Sequence, residues 1–96
     1  MRIRVLDSAL EDLDRARHFY EHQAEGLGMD FLEVMFAQID SLASYGGVHR
    51  KVFGYHRLIT RRFPYAVYYR VEGNRVVVWR VLDLRQSPAK ISRALS

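Results

Sequence analysis

The chain has 96 residues, 49% of them hydrophobic, with no cysteine and a net charge of +4. That length suits one domain spanning 1–96 around a single core. The missing thiols exclude disulfide staples, thiolate catalysis and cysteine-ligated zinc, and suit a reducing cytoplasm.

Arg2-Ile3-Arg4-Val5-Leu6 alternates at period two and predicts a short strand rather than a signal peptide. Ser8-Ala9-Leu10-Glu11 has the spacing of a capping box, with the Ser8 oxygen aimed at the first-turn amides. Ala9, Leu13, Ala16 and Tyr20 then recur at helical spacing, predicting a helix to about His22. The break at Glu25-Gly26-Leu27-Gly28 is short and favours a tight antiparallel helix pair. A second helix from about Met29 carries Leu32, Met35, Ile39 and Leu42, with Phe31, Val34 and Phe36 widening its buried face. Gly46-Gly47 ends it.

Lys51 to about Thr60 reads as one strand with a bend or bulge at Gly54. Pro64 lacks a backbone donor and belongs where a strand starts. From there Tyr65, Val67, Tyr69 and Val71 share one face, and Ala66, Tyr68 and Arg70 the other. A hairpin across Glu72-Gly73-Asn74-Arg75 leads into Val76 to Leu82, apolar enough to be central. Pro88 opens a last short helix to about Leu95. The predicted class is therefore α+β in two layers, β-α-α-β-β-β with a helical tail. A helix hairpin packs on one face of a mainly antiparallel sheet, and the other face is left open and basic. Tyr69 and Trp79 are expected to be largely buried. No stretch approaches the roughly 20 apolar residues of a membrane span.

Charge is divided along the chain. Residues 1–48 hold four Arg against nine Asp/Glu, a net of −5; residues 49–96 hold nine Arg and two Lys against Glu72 and Asp83, a net of +9. Such a half suits nucleic acid or an acidic protein segment. Arg57, Arg61, Arg62, Arg80 and Arg85 lie on or beside the C-terminal strands. Arg57 and Arg80 each interrupt an apolar alternation and need a partner or a wet face; Asp83 is the acid at hand for one of them. The cluster could clamp phosphates or dock a carboxylate-rich segment. His18 and His22 have half-site spacing for zinc without a third ligand. The glycines build no phosphate loop. No metal and no small-molecule cofactor are expected.

Asp12-Leu13, Phe19-Tyr20, Gly26-Leu27-Gly28 and Phe31, followed by Phe63-Pro64-Tyr65 with Val67 and Tyr69, and then Val81-Leu82-Asp83, Arg85 and Pro88, form an ordered set. That set, running over nearly the whole chain, resembles the RelE/ParE toxin superfamily of bacterial toxin–antitoxin systems, also known as plasmid stabilisation proteins. The resemblance implies a first strand beside the last long one, and a cognate antitoxin that wraps the toxin. It also implies one of two targets. RelE-like members cut mRNA in the ribosomal A site, and ParE-like members inhibit DNA gyrase by binding. Arg57, Arg61 and Arg85 sit near positions that are basic in the nucleases. Against that, Ala66 stands where the nucleases carry arginine after the strand tyrosine, Asp83 where many relatives have histidine, and no tyrosine follows Tyr69. An incomplete acid–base set argues against cleavage. The reading is a ParE-like, growth-inhibiting toxin of the cytoplasm. An mRNA endoribonuclease and a plain nucleic-acid-binding module are its alternatives.

Overall fold

The computed structural model describes residues 1–96. In chain order the elements are β1 (Arg2–Val5), α1 (Asp7–Gln23), α2 (Leu27–Tyr45), β2 (Lys51–Val52), β3 (Tyr55–Ile59), β4 (Tyr65–Glu72), β5 (Arg75–Asp83) and α3 (Pro88–Leu95). The strands form one sheet in the order β1-β5-β4-β3-β2. β1 lies beside β5, as the resemblance implied; the two run parallel, and every other pairing is antiparallel. No helix is long and apolar enough to cross a membrane.

The stripe of Ala9, Leu13, Ala16 and Tyr20 is buried as its spacing required, and α2 answers with Phe31, Met35, Ile39 and Leu42. Phe36 points outward instead of widening that face. The helices approach closely at Gly28, where a Cβ would stand 2.7 Å from the Arg17 carbonyl oxygen. Glu21 accepts from the amides of Gly26 and Gly28, both at 3.0 Å, and so holds the connection tight. The capping box at Ser8 does not form. The helix starts two residues earlier, behind Leu6, and the Ser8 hydroxyl donates to the Trp79 carbonyl at 2.9 Å. With Leu6 at the cap position Ser8 lies inside the first turn, past the place from which a side-chain oxygen accepts from the free amides, and its hydroxyl serves as a donor to β5 instead.

The segment 51–60 is two strands and not one bent strand. Phe53 (φ 55°) and Gly54 (φ 83°) make a two-residue turn between β2 and β3, which adds a fifth strand to the sheet. Positive φ at both central residues is the pattern of a type I′ hairpin turn, and Phe53 adopts it against the preference of a bulky side chain. In β5 one extra residue, Trp79, lies between the pairs Tyr69–Val78 and Tyr68–Arg80. A bulge re-aims the side chain after it, and here that side chain is Arg80.

Two cores result. The helix side is filled by α1 and α2 with Leu58, Phe63, Tyr65, Val67, Tyr69, Val76, Val78 and Val81. The far side carries Tyr55, Ala66, Tyr68 and Leu82 under Ile91 and Leu95 of α3. That face is therefore not wholly open, as the sequence suggested; α3 buries the part nearest Leu82 and leaves the part nearest the β4–β5 turn to solvent. Ser87 caps α3 by accepting from the Lys90 amide, with Pro88 at the first helical position. Tyr69 is fully buried and Trp79 half-buried.

Candidate functional site

The loop between β3 and β4 carries Arg61 and Arg62. Thr60, buried to 3% exposure, holds it closed: its hydroxyl lies 2.8 Å from the carbonyls of Phe63 and Tyr65, and its amide donates to Tyr65. Phe63 then drops into an aromatic cluster with Tyr20, Phe31 and Tyr65, with centroid separations between 4.9 and 6.1 Å. Arg62 lies over the Phe63 ring and pairs with Asp30 at 3.3 Å; Arg61 is exposed and has no ion-pair partner. Phe19 and Met29 add exposed apolar surface, 46% and 58%, at this same end of the helix pair.

Arg85, just past β5, is not free. It clasps Asp83 through Nε at 3.0 and 3.2 Å and Nη2 at 2.7 Å, and its amide donates to the same carboxylate. The clasp raises the Arg85 pKa and holds Asp83 below the usual carboxylate range. Beside it, burial foremost and then the Asp83 charge push Tyr65 up to about 12; burial also raises Tyr20. These shifts move Tyr65, Tyr20, Asp83 and Arg85 away from neutrality, where proton transfer is most effective.

Arg80 is structural. Its Nε and Nη2 meet Asp12 at 2.7 and 2.9 Å, and its Nη1 donates to the Ala94 carbonyl at 2.9 Å. Asp12 is buried and also accepts from the Val81 amide and from Arg15, both at 3.0 Å. β1 ends opposite Val78, so this carboxylate closes the β5 edge where the neighbouring strand stops. Asp12 and Arg80 form the floor of a cleft of about 320 Å³ whose walls include Phe19, Tyr65, Asp83 and Gln86. The acid that satisfies Arg80 is thus Asp12 and not Asp83. Arg57 lies across from Tyr68, on the face away from the helix pair, with no ion-pair partner. The structure accordingly gathers Arg61, Arg62 and Arg85 at one end and separates Arg57 and Arg80 from them.

Residues 3–88 match the family model of the ParE toxin of the type II toxin–antitoxin system parDE. The chain belongs to the ParE toxin family. A solved structure described as "Chromosomal ParDE TA system from P. aeruginosa" has the same fold, with a TM-score of 0.77 at 20% identity, covering 88% of this chain and 97% of that one. No curated protein shows significant sequence similarity to it.

Within this ParE-family fold the remaining candidates are dispersed. His18 and His22 stay exposed on α1, and nowhere do three potential metal ligands converge. His49 and His56 surround Tyr69, whose partner on β5 is Val78, while Asp83 pairs with Tyr65. The separation along β4 is about 13 Å at ~3.3 Å per residue. Sequence reasoning passed over Asp12, Arg2, Arg4 and Arg70. The alternation of Arg2 and Arg4 with Ile3 and Val5 was a signal for two arginines on one face.

The histidine pair carries a pH prediction. Tyr69 accepts from the Gly47 amide and donates to Nδ1 of a neutral His49, while Nδ1 of His56 donates to the His49 carbonyl at 2.6 Å. Burial first, and His56 second, lower the His49 pKa from 6.5. Unfolding then takes up a proton in the window below 6.5, so the contribution of His49 is complete above that pH and is lost as pH falls toward the depressed folded value. Urea midpoints should drop more between neutral and mildly acidic pH for the native chain than for His49→Gln, whose amide oxygen still accepts from Tyr69. Equal drops would contradict this assignment.

Proposed function

We propose that this ParE-family chain is a cytoplasmic toxin that inhibits growth by binding DNA gyrase, performs no chemistry of its own, and is neutralised by a cognate antitoxin. The observation that carries the reading is the Asp83–Arg85 clasp. A nuclease built on Arg57, Arg61 and Arg85 would need those cations converging on one phosphate with a proton donor beside them. Arg85 is instead neutralised by a carboxylate, Arg57 lies on the other side of the sheet, and Ala66 offers no charge. The nearest tyrosines hold their protons to high pH.

The antitoxin surface best supported is the end that carries Arg61, Arg62, Phe19 and Met29. Exposed apolar side chains next to the unpaired Arg61 and to Arg62, whose pair with Asp30 is open to solvent, suit an acidic, partly apolar segment that folds as it docks. Induced expression should arrest growth with a DNA-damage response and ongoing translation, and co-expression of the adjacent reading frame should relieve it. Immediate translation arrest with cleaved transcripts would overturn the reading.

A further inference from the structure

A second cationic surface lies on the opposite side of the molecule. Ile3 and Val5 pack into the helix-side core, so Arg2 and Arg4 of β1 face the other way. Arg4 stands across from Val77, and Val77 across from Arg70, which places arginines on both sides of one valine in the same cross-strand row. Arg70 is stacked over Tyr55 at 4.2 Å and over Trp79 at 5.2 Å. Arg57 follows on β3 across from Tyr68. None of the four arginines has an ion-pair partner. The strands bring a single acid to this face, Glu72, and Arg75 holds it at 3.4 Å. α3 alongside adds Lys90 and Arg93 and no acid.

We propose that this half of the sheet, through Arg2, Arg4, Arg57 and Arg70, binds the phosphate backbone of duplex DNA. Two strand spacings separate the columns of Arg4 and Arg70, about 10 Å across a flat surface, which suits the outside of a duplex. Stacking on two rings pre-orders the Arg70 fork and lowers the entropy lost on binding. A protein segment would need apolar anchors among the arginines, but Val77 and Tyr55 are 3% and 5% exposed, and the exposed apolar side chain of this face, Ile59, lies beyond Arg57 at the end of β3. A single strand would need open ring faces on which to stack, and Arg70 already covers Tyr55 and Trp79. The contact is with backbone only and reads no sequence. It requires neither gyrase nor any other particular target, and it uses residues distinct from Arg61 and Arg62.

The test is fluorescence anisotropy of the full chain with a short labelled duplex DNA, the matching single strand, and polyglutamate. Four phosphate contacts predict that log K falls with log salt at a slope of about −3.6, which is roughly a 150-fold loss between about 50 and about 200 mM. Arg4→Gln/Arg70→Gln should reduce that slope by about two and weaken duplex binding by about tenfold or more. If loss of the Arg70 stack unfolds that variant, Arg2→Gln/Arg4→Gln, which touches no ring, should give the same change. Arg61→Gln/Arg62→Gln should leave duplex binding within about threefold. Absence of duplex binding at low salt, equal or tighter binding of the single strand or of polyglutamate, or equal losses from the Arg61/Arg62 and Arg2/Arg4 pairs would each overturn the proposal.

Discussion

Asp12→Ala lowers folding stability by about 2–4 kcal/mol, as much as truncating a buried leucine of the core. The carboxylate accepts from Nε and Nη2 of Arg80, the Val81 amide and Arg15. Without it the Arg80 guanidinium keeps only the Ala94 carbonyl and loses its counter-charge, and the Val81 amide at the β5 edge loses its acceptor. Stranding one member of a fully buried pair costs about 3–5 kcal/mol. The Arg80 side chain keeps 23% exposure, so water recovers part of that. In a domain of this size the change corresponds to a melting temperature lower by roughly 10–30 °C. Arg15→Ala, at a side chain 71% exposed, should move stability by less than about 0.5 kcal/mol. The double change Asp12→Leu/Arg80→Met should recover most of the loss, since it removes both buried charges together. An Asp12→Ala protein within about 0.5 kcal/mol of the native chain in urea unfolding would show that the clasp does not hold these elements together.

Reversing charge at Arg61 and Arg62 should weaken the complex with the antitoxin by about 30-fold or more at moderate salt. Each reversal converts an attraction to an acidic segment into a repulsion, and close interfacial charge pairs couple by about 1.5 kcal/mol or more. Arg62 already shows the chemistry in miniature, with its exposed pairing to Asp30 beside the Phe63 ring. The variant Arg61→Glu/Arg62→Glu, titrated against the product of the neighbouring reading frame, checks this. Arg2→Glu/Arg4→Glu serves as the comparison and should change that affinity by less than about threefold. Should the losses fall on the second pair instead, the antitoxin covers the sheet and the end with Phe19 and Met29 belongs to the target.

What could be read from the chain divides by range. The stripe Ala9–Leu13–Ala16–Tyr20, the strand start at Pro64 and the last helix opened by Pro88 are local patterns, and each formed where it was expected. The two faces of β4 followed from alternation alone. Ser8 was misread because the choice between a helix cap and a sheet-edge carbonyl depends on β5, some seventy residues away. Gly54 was read as a bend or bulge within one strand; the two-residue turn needs Phe53 at positive φ as well, which a phenylalanine seldom accepts. Arg80 announced its need for a partner, but its direction depends on the one-residue bulge at Trp79, which no periodicity reports. The open basic face was half legible: its arginines could be counted, but the seating of Ile91 and Leu95 over Tyr68 could not. The clasp of Asp83 on Arg85 lay two residues apart in the chain and was within reach, but attention to Arg80 assigned that acid elsewhere.

The most direct measurement sets the purified chain against both candidate targets in parallel. One reaction holds gyrase with relaxed circular DNA and ATP; the other holds programmed ribosomes with an mRNA in the A site. The account predicts loss of supercoiling, or trapped cleavage of DNA by gyrase, together with intact ribosome-bound mRNA, and relief of the gyrase effect on adding the antitoxin. Cleavage of the mRNA in the A site, abolished by Arg61→Ala, with gyrase left fully active, would contradict it.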